Sequence, residues 1–150
     1  MAGIYLRMSA SLISALILTV ILLVITTYFF LGSMPLLVLR HDSPMDARFV
    51  RGFFNTYYVA VVFVAGMTGL TYAIAGRFAF AIGAAAVALL AAILRTTILP
   101  RMDALSSQIQ VAGTDAITGF RRVHVAAIAI NLAQLVAIVS TLIAVSLQMR

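Results

Sequence analysis

Long apolar stretches separated by short polar ones dominate this chain. Met8 to Leu39 runs without a charged residue, well beyond the about 20 apolar residues that a helix needs to cross a hydrocarbon layer near 30 Å thick. It is too long for the apolar region of a signal peptide, and no small-residue cleavage site follows it, so it reads as a retained first helix. Gly32 and Pro35 are expected to end or kink that helix, because a proline ring clashes with the carbonyl four residues back. A second stretch covers about Phe53 to Ala75 and a third Phe78 to Leu99, with only Gly76 and Arg77 between them. So short a connection makes the two helices antiparallel neighbours. Pro100 is expected to break the third helix, leaving Arg101 to Gly113 as a polar connector with room for one short helix. Thr114 is the N-cap candidate of a fourth helix that crosses the membrane over about Val123 to Leu147.

The expected helices are therefore about residues 8–39, 53–75, 78–99 and 115–148. No repeat, low-complexity linker or second domain interrupts them. The fold class is all-α, a single integral-membrane four-helix bundle.

Composition agrees. Of 150 residues, 64% are hydrophobic and 9% charged, against roughly 45–50% and 25% in soluble domains. That excludes a soluble globular domain, a disordered segment and a disulfide scaffold. All ten positive residues are arginine, all four negative ones are aspartate, and cysteine is absent. Without cysteine there is no thiolate catalysis or thiolate metal site, and without glutamate the Glu-x-x-His pattern of di-iron bundles is missing. The net charge of +6 does not point to nucleic acid, because the arginines form no run or face that could track phosphates. They sit at the ends of apolar stretches, where guanidinium heads reach lipid phosphates.

Their distribution orients the bundle. Arg7, Arg77 and Arg150 fall on the side of the two termini. Arg40, Arg48, Arg51, Arg95, Arg101, Arg121 and Arg122 fall on the other, together with every aspartate and both histidines. Seven against three makes the second side cytoplasmic, so segments 40–52 and 101–122 lie inside and both termini outside. The expected location is a bacterial inner membrane, with any chemistry at the arginine-rich end.

Small residues recur at helical spacing, as packing in lipid requires: Gly66, Gly69, Ala73 and Gly76; Ala81, Ala85, Ala88 and Ala92; Ala126, Ala133, Ala137, Ser140 and Ala144. The most informative polar residues lie in the fourth helix, where His124 and Asn131 are seven apart on one face, with Gln134 beyond. His124 is a candidate proton carrier or substrate hydrogen-bond donor, with Asn131 deeper in the same cavity; equally, both could serve as interhelical hydrogen bonds. On the second reading, Asn131 bonds a neighbouring helix and Asn131→Leu lowers stability.

His41 beside Asp42 is either a tuned base or a wet turn. Asn55 and Tyr58 share a face at the start of the second helix, and Arg95 lies one turn before Pro100. Antiparallel packing brings Asn55, Tyr58, Arg95 and His124 to similar depth, so they are expected to converge in one pocket edged by His41. The two histidines with Met34, Met45 and Met102 could suggest copper or haem, but no two have ligand spacing. The site residues are thus His124, Asn131, Arg95, Tyr58, Asn55 and His41, with no metal and no cofactor.

The run Phe120-x-x-x-His124-x-x-Ala127-x-x-x-Asn131-Leu132 resembles the last helix of the transmembrane-protein-205-like family of small four-helix membrane proteins, which has serine where this chain has Ala127. Leu39-Arg40-His41, Phe54 with Tyr57 or Tyr58, and Arg95 with Pro100 fall in a similar order. That resemblance implies a four-helix fold and no established enzymatic activity. Pro100 and the Phe120 to His124 entry also resemble anthrone-oxygenase-like small membrane proteins, which implies cofactor-free oxygenation of a polycyclic phenol with His124 as base.

Three functional classes fit these residues. The first is a non-catalytic membrane protein, either a binding module or an accessory subunit. The second is a small membrane enzyme acting on a lipophilic substrate, and the third a transporter or channel, which no row of charges supports. The expected partners are the lipid bilayer and either other membrane subunits or a lipophilic small molecule, with no nucleic acid.

Overall fold

The computed structural model describes residues 10–38, 44–112 and 114–148. It contains four helices, α1 (Ala10–Leu36), α2 (Pro44–Ile74), α3 (Phe78–Ala112) and α4 (Thr114–Gln148). Each is long and apolar enough to cross a membrane. The helices pack in a ring, α1 against α2, α2 against α3, α3 against α4 and α4 back against α1. Large side chains point outward without cover, such as Phe63 at 71% and Ile82 at 70% exposure. In water that surface would drive aggregation, whereas in lipid it is the solvated face.

Two boundaries differ from the sequence expectation. α2 starts at Pro44 rather than near residue 53. A proline is well placed in a first turn, where its missing N–H is not needed, and Asp46 in the same turn favours the helix dipole. Ala47, Val50 and Phe54 then bury one face of the added turns. α3 does not break at Pro100 but runs on to Ala112, so the expected connector at 101–113 is largely helix. Pro100 is exposed, and contacts of the next turn offset the lost backbone bond. Met102 is fully buried, and Asp103 accepts from Arg51 Nε at 3.0 Å. Pro35 falls in the last turn of α1, which ends one residue later as Leu37 and Val38 N–H donate to the Met34 and Pro35 carbonyls, each at 3.1 Å. α3 and α4, at 35 residues each, are about 52 Å long. They overhang a 30 Å hydrocarbon layer, and the arginine-rich segments are helical extensions of the bundle.

The α2–α3 hairpin matches the expectation. Gly76 has φ of 70°, the left-handed conformation that favours glycine. Around it Arg77 N–H donates to the Tyr72 carbonyl at 2.9 Å and Gly76 N–H to Ala73 at 3.0 Å, the paired bonds of a Schellman cap. Beyond this turn the helices stay close. A Cβ on Gly69 would lie 3.2 Å from the Ala81 carbonyl oxygen.

The α4 alanine stripe faces the other way from the expectation. Ala126, Ala133, Ala137 and Ser140 are exposed, whereas Phe120, His124, Ala127, Asn131, Gln134, Ile138 and Val145 are buried. From Phe120 to Ile138 the spacing of that buried set alternates between four and three residues, and Val145 follows seven later. It is a heptad seam filled mostly by large and polar residues, with Ala127 among them, and it leaves Ala126, Ala133 and Ala137 of the expected stripe to lipid.

Candidate functional site

The same spacing governs α1, where Leu12, Ala15, Thr19, Leu22, Thr26 and Ser33 are buried. Alternating steps of three and four keep one seam facing the bundle axis, as in a coiled coil. On that seam Thr19, Thr26 and Ser33 recur every seven residues. With Tyr57, Tyr58, Thr68 and Tyr72 of α2 and His124, Asn131 and Gln134 of α4, they form a polar column inside an apolar bundle. Among the described residues, the buried positions of α3 are Ala81, Ala91, Leu94, Ile98, Leu99 and Met102, which are all apolar. One wall of the column is therefore greasy.

Part of this column is bonded within the chain. Thr19 Oγ1 donates to the Ala15 carbonyl at 2.7 Å and lies 3.1 Å from the Tyr72 hydroxyl. The Tyr57 hydroxyl donates to Gln134 Oε1 at 2.9 Å, joining α2 to α4 across the ring. Tyr57→Phe should remove that tie, at a cost of about 0.6–1.7 kcal/mol, read as a lower thermal midpoint in mild detergent. An unchanged midpoint would mean that the bond only positions Gln134.

Other buried groups have no hydrogen-bond partner among the described residues. These include the Thr26 and Tyr58 hydroxyls, both polar atoms of the Asn131 amide and Gln134 Nε2. Asn131 is 1% exposed and Tyr58 is fully buried. Inside a membrane such atoms cannot turn to water, so each carries a desolvation cost of about 1–3 kcal/mol. Asn131 and Gln134 are three apart on α4 and share its inner face. Tyr57, which reaches Gln134, packs against Tyr58 with ring centroids 5.4 Å apart and planes tilted by 55°. The unsatisfied groups of Tyr58, Asn131 and Gln134 thus belong to one layer.

His124 lies about 10 Å along α4 from Asn131, toward the arginine-rich end. It is fully buried, and its ring meets Phe54 edge-on at 5.4 Å and 88°. Phe54 in turn packs on Tyr58 at 6.0 Å. His124 and Tyr58 are thus linked through a phenylalanine.

The expected convergence is half realised. Tyr58 and His124 are inside, but Arg95 is exposed and donates through Nε to Asn55 Oδ1 at 3.1 Å on the outer α2–α3 seam. Together with Arg51, Asp103 and Pro100 they line a separate cleft of about 190 Å³. The physical reason is the charge. An arginine one turn from the membrane boundary can extend its head to the interface, which costs less than burial among aromatics. Asn131 points inward as expected but lacks the expected bond to a neighbouring helix. His41 lies outside the described residues.

A cavity of about 70 Å³ sits farther along the column, toward the termini. Thr19, Leu22, Thr68, Tyr72 and Ile138 line its inner side, and Gly83 and Ala137 its lipid-facing side. Ala137 is about 20 Å from His124 along α4, so the cavity and the histidine are far apart. Thr19, Thr26, Ser33 and Tyr72 are not among the residues that the sequence singles out. The seven-residue recurrence of hydroxyls on α1 is the signal that could have found the first three.

No family model, no curated protein and no solved structure matches this chain.

Proposed function

We propose that the protein is a non-catalytic membrane binding module, acting alone or within a larger assembly. Its ligand would be an uncharged lipophilic molecule that carries a carbonyl or hydroxyl group. The observation that carries this reading is the unsatisfied layer of Tyr58, Asn131 and Gln134 inside the bundle. Asn131 offers one acceptor and two donors, Gln134 a donor, and Tyr58 a hydroxyl that serves as either. A carbonyl or hydroxyl group complements such a set, and an apolar body suits the α3 wall. Nothing in the layer would balance an ionic head, so the ligand class is neutral. A cavity of about 70 Å³ lies farther along the same column, with Gly83 and Ala137 on its lipid-facing side.

The test is purification from membranes in mild detergent, with solvent extraction and mass spectrometry of the bound compound. A single neutral lipophile should co-purify with the native chain, be lost from Asn131→Leu and Gln134→Leu, and remain in Arg95→Gln. Equal retention by all three variants would remove the interior site.

A second reading, cofactor-free chemistry of the anthrone-oxygenase-like kind, draws on the Phe54 bridge between His124 and Tyr58. It requires turnover of the extracted compound that is lost in His124→Gln while binding persists.

The seven arginines at one end support an orientation in a bacterial inner membrane with both termini outside. The native chain has no cysteine, so single cysteines report cleanly. In intact cells a cysteine at the exposed Ser146 should react with an impermeant thiol reagent, and one at the exposed Ser107 should not. The reverse pattern would invert the protein.

A further inference from the structure

We propose that the outer face of α4 at its Arg121–Arg122 end binds one anionic phospholipid, independently of the interior site. Thr118, Arg121, Arg122, Val125, Ala126 and Ala129 line a groove of about 390 Å³ there. Its two halves have different chemistry. At the boundary end stand two adjacent exposed arginines. Arg121 Nη2 donates to the Leu37 carbonyl at 3.2 Å, which holds that guanidinium against the end of α1 while its other N–H groups remain for a phosphate. From Arg122 the groove descends by steps of three and four residues through Val125, Ala126 and Ala129, toward the membrane centre. The exposed side chains of Ala126 and Ala129 are short, so this strip is a recess on the outer face of α4. A phosphate on the arginines therefore places an acyl chain along the alanines.

Charge complementarity selects the lipid. Two guanidinium groups match a headgroup with net negative charge and gain little from a zwitterionic one, whose own cation already faces the phosphate. The larger groove between α1 and α2, of about 520 Å³, contains a single arginine, Arg48, among aromatic walls, and lacks this pairing.

The experiment incubates the full-length chain with vesicles of phosphatidylglycerol or phosphatidylcholine of identical acyl chains, and counts retained lipid by native mass spectrometry. The native protein should retain phosphatidylglycerol about tenfold better, since each boundary arginine contributes severalfold. Arg121→Gln with Arg122→Gln should reduce that preference to about twofold or less. Arg77→Gln, which removes a single charge at the opposite boundary, should leave it unchanged. Ala129→Trp, which fills the trough on an exposed face, should weaken retention with both arginines present. Equal retention of the two lipids by the native chain would overturn the proposal, as would a loss in Arg77→Gln as large as in an arginine variant of α4. Displacement of the lipid by millimolar inorganic phosphate would also overturn it, by showing that a free anion suffices.

Discussion

Asn131→Leu should make the protein more stable once bound lipophiles have been stripped from it, by about 1–3 kcal/mol. The expectation rests on an asymmetry in hydrogen bonding. A buried amide with partners adds little net stability, but one without partners bears its full desolvation cost. Both polar atoms of Asn131 are in the second condition, and the residue is 1% exposed. Leucine keeps a branch at the same carbon and removes both atoms, so the apolar bundle gains. Thermal unfolding in detergent, before and after delipidation, measures it. A lower midpoint in the stripped variant would mean that Asn131 is bonded to another helix, and would remove the main support for an interior binding layer.

Gly69→Leu should have the opposite sign and an equal or larger size, about 3 kcal/mol. Even a methyl group at this position meets the Ala81 carbonyl oxygen at 3.2 Å and the Ala85 nitrogen at 3.5 Å. Both are backbone atoms, which cannot rotate away as a side chain can. A leucine must push α3 outward along the most extensive helix contact in the bundle, and overpacking of this kind costs about 1–3 kcal/mol or more. Gly66→Leu is the control, because a Cβ there meets nothing within 4 Å. Similar losses in both variants would show that glycine serves the helix itself rather than the α2–α3 approach.

Much of the fold is legible in the sequence because lipid imposes a crude rule. Long uncharged stretches must be helices, and the Gly76–Arg77 punctuation leaves the chain no choice but to turn back. The proline at 100 misleads because its local propensity says nothing of its context. The burial of Met102 and the pairing of Asp103 with Arg51 lie in tertiary structure, which no local signal reveals. The candidate site is legible in part for a related reason. His124, Asn131 and Tyr58 are polar in an apolar setting, so burial is the only stable outcome. Arg95 and Asn55 are polar near an interface, where an outward rotation of the side chain is enough. The inward face of α4 is easily misread because alanines suit close packing in lipid, yet that seam is filled mostly by larger residues.

The hydroxyl recurrence on α1 has a consequence for how the helices are aligned along the membrane normal. Thr19, Thr26 and Ser33 repeat one chemical character every seven residues, so sliding α1 by two turns would still bring hydroxyls to the same positions of the seam. α4 carries His124, Asn131, Ile138 and Val145 at the same interval, and no slide superposes them. α1 resembles an evenly notched rail and α4 a cut key. The polar pattern of α4 therefore carries more information on vertical alignment than that of α1, which the Thr19–Tyr72 contact helps to hold. Exchanging Thr26 for serine should therefore be silent, whereas transposing Asn131 and Ile138 should scramble the alignment while leaving composition and hydropathy untouched.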